Sequence, residues 1–325
     1  MLRAIGDVSG NIFSYISPLG LILRTAPYSN NNPWPILVIF ALSIITGLGA
    51  LYLNSVRDLG SGVASSKPGR KEASKFLQST TGLTLRLLRP MIIGWGIALF
   101  LLGAAFGSVF GDITTFLEGH EFLQQFFLQE GVTYTIEEQF LTFLIAICSV
   151  ILTIPPLIAI IKVYVEEKRG RLDNILSKKV SRNKILGNYL FVSIISSISS
   201  VLLYTFGIWL SSLFVMSEPL ALSTVILSGL VYLPGIWLMV CIALVLIAFI
   251  PKMVSLIWIY LGASFILIYL GEILRIPEWV EKLTPFEHIP MYPVEGFSIV
   301  PLVVMMLLSA IMCIIGFYGY NKRDI

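Results

Sequence analysis

The sequence KVYVEEKRGRLDNILSKKVSRNKIL, residues 162–186, holds eight of the chain's 22 basic residues and is flanked by two charge-free apolar runs, residues 140–161 and 189–213. About 20 apolar residues in helical conformation cross the hydrocarbon core of a bilayer, so each flank is long enough to span. A charged segment hung between two such spans stays on one side of the membrane. Its own apolar residues Ile175, Leu176, Val180, Ile185 and Leu186 recur at roughly helical spacing, which predicts a partly helical loop with one apolar face. A loop of this kind is where a soluble partner can push on a membrane protein.

Composition agrees. The 325 residues are 56% hydrophobic and 13% charged, with a mean hydropathy of +0.87, far from the balance of a soluble domain. Seven charge-free windows are predicted to span: about 36–54, 90–110, 140–161, 189–213, 223–250, 253–271 and 298–319. The expected fold class is an all-α integral membrane protein of about seven transmembrane helices. Pro155-Pro156 and Pro234 lie inside predicted spans and are expected to kink them. Cys148, Cys241 and Cys313 all fall in apolar runs and read as small buried hydrophobes. Residues 1–35 carry Arg3, Asp7 and Arg24 and no clean apolar core of a cleavable signal peptide.

Lysine and arginine set the orientation. Eighteen of the 22 fall in alternate loops on one side (55–89, 162–188, 251–252 and the tail), whereas 13 of the 19 acids fall on the other. The basic side is expected to be cytoplasmic, with the C-terminus inside and the N-terminus outside. Residues 35–59 and 301–325 align without a gap at eight identical positions of 25, from Pro35/Pro301 to Arg57/Arg323 and Asp58/Asp324. The first span therefore reads as the end of one repeat and the next six as a complete second repeat. The expected divisions are residues 1–62, the end of a first repeat with one transmembrane helix; 63–89, a linker and an amphipathic interfacial helix over 75–88 that turns into the membrane at Pro90; and 90–325, a six-helix domain. Residues 111–139, acidic and aromatic, predict short outer helices. In 272–297 the apolar pieces are too short to span, and Trp279, Tyr292 and Phe286 are expected at the membrane interface.

Glu166, Glu167 and Arg171 form an EE-then-R pattern similar to the first motif of intramembrane CAAX-type proteases. Topology excludes that chemistry. The pair lies in the basic loop, both His120 and His288 are predicted on the opposite side, and a metal centre cannot be assembled across a bilayer. No Walker-type phosphate loop occurs. No span carries a centred Asp, Glu, Lys, Arg or His, the groups that ion-coupled carriers use, so energy must come from outside the chain. A polar seam runs along the fourth span: Ser193, Ser196, Ser197, Ser199, Ser200 and Tyr204. Helix packing through small residues accounts for such a seam; lining of a substrate path by Ser193, Ser196, Ser200 and Tyr204 is the functional reading.

A series of motifs in order, SPLGLILRTAPY (17–28), NPWP (32–35), RDLGSG (57–62), GLTLRLLRPMIIGW (82–95), EEKRGRLDNILSKKVSR (166–182) and PEWVEKLTPFEHIP (277–290), with the Arg323-Asp324 tail, resembles the ABC-2 type transporter permeases, in the branch of polyketide-antibiotic exporters. The resemblance covers the last span of repeat one and all of repeat two. It implies a multi-pass subunit of the cell membrane that is not itself an enzyme and holds no cofactor, ATP being bound by a cytoplasmic ATP-binding-cassette ATPase partner. It also implies membrane lipid as surroundings, no nucleic acid, and a second permease half or homodimer as the remaining partner. By resemblance, Glu166, Glu167, Gly170, Arg171, Leu172, Ile175 and Leu176 fall on an ATPase-coupling loop. The acidic pair is expected to begin its helix, as anions favour an N-terminus, and Leu172, Ile175 and Leu176 to insert into the partner. The function expected is export of a hydrophobic or amphiphilic compound. The alternative is a non-transporting membrane component (a sensor, immunity or assembly factor) or an inactive remnant of a two-repeat permease.

Overall fold

The computed structural model describes residues 18–27, 29–56, 72–113, 134–177, 180–274 and 276–323. Helix accounts for 81% and no strand occurs among the described residues, so the protein is all-α. The chain forms two compact units, Met1–Glu72 and Ala73–Ile325.

In the first unit a short helix α1 (Pro18–Leu23) precedes α2 (Trp34–Val56). Two left-handed residues, Ala26 and Asn31, fold the link between them, and the Asn32 side chain accepts the Trp34 N–H at 3.2 Å to start α2. The 23 residues of α2 give it about 35 Å, enough to span.

The second unit holds α3 (Thr80–Gly107), α4 (Ile136–Lys168), α5 (Asp173–Leu176), α6 (Arg182–Val215), α7 (Leu222–Leu230), α8 (Leu233–Phe249), α9 (Leu256–Leu274), α10 (Glu278–Glu281) and α11 (Ile299–Lys322). Side-chain caps set several starts. Thr135 and Glu138 form a reciprocal capping box at α4, Ser181 accepts from Lys184 N–H at α6, and Ser79 from Gly82 N–H at α3. Six of the seven predicted spans are each one helix, and the fifth, 223–250, is two, α7 and α8. Among the described residues six are long and apolar enough to cross a membrane, counting α7 and α8 as one; in α9 the apolar stretch is the shorter Leu256–Gly271.

Three boundaries differ from expectation. The helix of α3 runs unbroken through Pro90, so no turn into the membrane occurs there; its first ten residues continue the span, preceded by one 3-10 turn, Lys75–Gln78. The Pro155-Pro156 pair likewise lies inside a continuous α4. The one true break is at Val231-Tyr232, and Pro234 sits in the first turn of α8, where its missing N–H costs nothing. The region 114–133, where outer helices are predicted, lies outside the described residues.

The central helix is α4, flanked by α6 and α8, with the buried core running from Leu141 to Val163. The tightest pair is α3 on α6. A Cβ built on Gly103 would lie 2.1 Å from the Tyr204 carbonyl oxygen, one on Gly107 2.4 Å from that of Ile208, and one on Gly207 2.3 Å from that of Phe100. Backbones can approach this closely only where the side chain is absent. Residues 276–298 fold across the far ends of α4 and α8. Phe286 and Ile289 are buried in the core there, so Phe286 is a packing residue rather than an interfacial one; Trp279 is exposed and Tyr292 half-buried.

Candidate functional site

The apolar stretch of α4 ends near Ile161, but the helix continues to Lys168. At 1.5 Å per residue these extra turns project about 10 Å beyond the span and carry Lys162, Glu166 and Glu167. Gly170 then stops the helix. It has φ +65°, its N–H donates to Glu167 O at 2.8 Å, and the Arg171 N–H donates to Glu166 O at 3.1 Å, the paired bonds of a Schellman cap. The acidic pair therefore closes a helix instead of opening one, a correction to the sequence reading. The negative end of the helix is offset by Lys168, Arg169 and Arg171 around it. Replacing Gly170 with alanine forces a Cβ into the left-handed region and is expected to lower stability by about 1 kcal/mol, read as a shift in the thermal midpoint of the purified protein.

Both carboxylates are occupied. Glu166 is only 4% exposed; Lys162 Nζ lies 3.2 Å from its Oε1, and Arg171 Nη1 donates to both of its oxygens at 3.2 and 3.3 Å. Glu167 pairs with the Arg323 guanidinium, and the Tyr320 hydroxyl donates to its Oε2 at 3.4 Å. Arg323 also donates to the Ile247 carbonyl near the end of α8, and Arg182 donates to the Arg323 carbonyl at 2.8 Å. Asn321 reaches Asn183 at 2.5 Å. The ends of α4, α6, α8 and α11 thus meet in one charged knot. Burial pulls the Arg323 guanidinium below its ordinary range, but a guanidinium stays protonated.

The remaining loop residues are placed differently from expectation. Leu172 is 1% exposed, inside the core, and Ile175 and Leu176 are half-buried against it. Leu172 thus packs within its own chain, while Ile175 and Leu176 keep part of their surface exposed. A 240 Å³ cavity lies beside them, lined by Leu83, Leu87, Glu166, Leu172, Ile175 and Tyr189 among others. Among the described residues of 168–177, those exposed are Lys168, Arg169, Gly170, Arg171, Asp173 and Ser177, a mainly basic rim.

The serine seam faces inward. Ser193, Ser196, Ser200 and Tyr204 are all 3% exposed or less. Ser193 Oγ donates to the Pro156 carbonyl of α4 at 2.7 Å, and Trp237 Nε1 donates to Ser197 Oγ at 2.9 Å. The Tyr204 hydroxyl is buried beside the Cys148 thiol without a well-formed hydrogen bond. As placed, the seam joins α6 to α4 and α8. His288 Nε2 sits 2.9 Å from the Lys282 carbonyl oxygen on the segment that covers the opposite end of the bundle from Glu166, and His120 lies outside the described residues.

Sequence reasoning did not find the Glu167–Arg323 pair. The signal was present: the Arg-Asp ending that recurs at residues 57–58 and 323–324 puts a charge at the end of an apolar run, which asks for a counter-charge nearby.

With this geometry in view, comparison with known proteins gives two matches. The family described as the C-terminal domain of the multidrug efflux system permease Rv1217c matches residues 77–321. The multidrug efflux system permease protein Rv1217c of Mycobacterium tuberculosis is 27% identical over 325 residues, all of this chain and 59% of the relative. The chain thus spans somewhat over half the length of the curated relative it matches. The family match covers most of the second unit, including α4, the basic rim and all but the last residue of the charged knot, and agrees with the motif resemblance to ABC-2 type drug-exporter permeases. This multi-pass membrane chain belongs to the family of the C-terminal domain of the multidrug efflux system permease Rv1217c.

Proposed function

We propose that the chain is the membrane-spanning permease part of an ATP-binding-cassette exporter that moves a hydrophobic or amphiphilic, drug-like compound such as an antibiotic out of the cell. A separate cytoplasmic ATPase subunit binds and hydrolyses ATP, and a second permease half or a second copy completes the transporter. The observation that carries this reading is the family match over residues 77–321, with a relative named for multidrug efflux. Two features support it. The central turns of the described spanning helices hold no acid or base, the groups on which ion-coupled carriers rely. The Lys168–Asp173 rim stands clear of the apolar stretch on a base fixed by two ion-paired carboxylates, a surface suited to receive force. By the distribution of basic residues this rim and the C-terminus are cytoplasmic.

In this reading docking is made by charge rather than by inserted leucines. Co-expression of the full chain with each candidate ATP-binding-cassette ATPase subunit of its own organism, followed by affinity capture, tests it. Lys168→Glu with Arg169→Glu is expected to weaken capture about tenfold or more, as reversing rim charges costs a few kcal/mol, and to raise drug accumulation in cells. Both positions are exposed, so folding is expected to be kept. Undiminished capture by the charge-reversed protein removes the docking assignment.

A further inference from the structure

Of the three cysteines, Cys148 and Cys241 are buried and Cys313 is half-buried. Cys241 on α8 and Cys313 on α11 stand in thiol–thiol contact, and the packing of the two helices accounts for it. Both helices run toward the charged knot and keep one parallel register. A Cβ built on Gly235 of α8 would lie 3.5 Å from the Met305 methyl, one on Gly316 of α11 3.6 Å from the Leu244 carbonyl carbon, and one on Gly319 would meet the Phe249 ring. The second of these approaches puts the Leu244 and Gly316 Cα atoms within about 7 Å of each other. Cys241 and Cys313 each lie three residues before that pair, on the same helix faces. A disulfide needs Cα atoms no more than about 7 Å apart, the spacing these helices have one turn away from the thiols.

The two thiols differ in access. Cys241 is 6% exposed, whereas Cys313 keeps part of its surface open. Cys313 lies nine residues before Lys322, the last of α11, about 14 Å from the helix end and so at the depth of the lipid acyl chains. An accessible sulfur with a second thiol against it is the arrangement of an oxidisable cysteine and its resolving partner. Two sulfurs are half of the four ligands of a structural zinc site, and no third His, Cys, Asp or Glu joins them among the described residues.

We propose that Cys241 and Cys313 are an oxidation site that joins α8 to α11 by a disulfide when a lipid-soluble organic hydroperoxide reaches Cys313. The Cys313 sulfur attacks the terminal peroxide oxygen, the O–O bond breaks, and the thiol proton leaves with the alkoxide as an alcohol. Cys313 is then a sulfenic acid. The Cys241 sulfur attacks it; the S–S bond forms as the S–O bond breaks, and the Cys241 proton leaves with the hydroxide as water. Two thiols lose two electrons and one hydroperoxide gains them. The bond fixes α11 to α8 beside the knot, where Arg323 already donates to the Ile247 carbonyl of α8. That the closed bond slows export rests on the export reading above; its formation does not.

The test uses the full chain in nanodiscs, treated with cumene hydroperoxide under conditions that oxidise a control dithiol. The protein is then denatured and labelled with a maleimide polymer that adds one mass step per free thiol. The chain has three cysteines, and labelling is expected to fall from three steps to one and to return to three with a phosphine reductant. Mass spectrometry of the digest should show the Cys241 and Cys313 peptides joined. Cys148→Ala should lose the same two steps. Cys241→Ala should stop at the sulfenic acid, trapped by dimedone on Cys313, whereas Cys313→Ala should keep both of its remaining thiols. Three steps retained by the oxidised parent, a dimedone label on Cys241 in Cys313→Ala, or a bond between two chains overturns the proposal. The parent protein alone decides it should a variant fail to fold. If the bond forms while drug accumulation in cells is unaffected by the chain, oxidised or reduced, the site stands and export falls. If no bond forms while the ATPase subunit is still captured through Lys168 and Arg169, the site alone falls.

Discussion

Replacing Gly103 with leucine is expected to abolish the folded second unit, giving aggregated protein in size-exclusion chromatography of the detergent extract. The physical reason lies in what the new side chain meets. At Gly103 the first atom, Cβ, would stand 2.1 Å from the Tyr204 carbonyl oxygen and 3.2 Å from the Ile208 nitrogen. These are backbone atoms of α6, so no rotamer change relieves the clash; the two helices must separate. Overpacking that side chains can absorb costs about 1–3 kcal/mol. Here separation also opens the neighbouring contacts of Gly107 and Gly207, and with them the packing that buries Leu99 and Tyr204. Interfaces between membrane helices depend on such close packing, because lipid removes most of the hydrophobic drive. Gly94→Leu provides the control on the same helix: nothing lies within 4 Å of a Cβ there, and a helix gains about 0.5–1 kcal/mol when glycine is replaced. Gly94→Leu should purify as well as the parent protein. Comparable losses in both variants would mean that α3 and α6 do not pair through Gly103.

The contrast shows which parts of the molecule could be read from residues alone. Charge-free length is a strong signal: every predicted span is helical, although the fifth is broken into α7 and α8. Glycine identity is a weaker one: Gly94 and Gly103 look alike in sequence, and only the neighbour decides which is indispensable. Helix ends were harder still. The dipole rule places Glu166 and Glu167 at a helix start, but α4 runs past its apolar stretch and Gly170, with its left-handed backbone, is the stop signal. Leu172, Ile175 and Leu176 have the spacing of a docking face and also the spacing of a core face. Periodicity identifies an apolar side without saying what covers it, and here the chain's own α3, α4 and α6 do. The serines of α6 carry the same ambiguity, and their hydrogen bonds to Pro156 and Trp237 show the packing role directly. For the pair between Glu167 and Arg323, 156 residues apart, the sequence shows a charge at a helix end that needs a partner, but not which residue the partner is.

That last pair supports the second large effect. Arg323→Ala is expected to lower stability by about 2–3 kcal/mol, below the 3–5 kcal/mol of a fully buried broken pair because the partners keep some solvent; the side chains are 15% and 13% exposed. The loss has two parts. Glu167 keeps only the long bond from Tyr320, and the Ile247 carbonyl near the end of α8 loses its donor. Adding Glu167→Gln removes the stranded charge, so the double variant should recover part of the deficit in thermal midpoint, a coupling that two independent sites would not show. Arg323→Lys should fall between, since an ammonium cannot serve the carboxylate and the carbonyl with a planar fork. The functional consequence separates docking from transmission. Arg323 does not belong to the exposed rim, so a folded Arg323→Lys protein should still capture the ATPase subunit through Lys168 and Arg169. In the proposed function, however, the knot is the polar connection by which a push on the end of α4 would reach α8 and α11. Drug accumulation in cells carrying Arg323→Lys is therefore expected to rise toward that of cells lacking the chain while capture stays within about twofold of normal. Full export with the knot weakened would place the transmission elsewhere, in the apolar packing of α4 against α6 and α8.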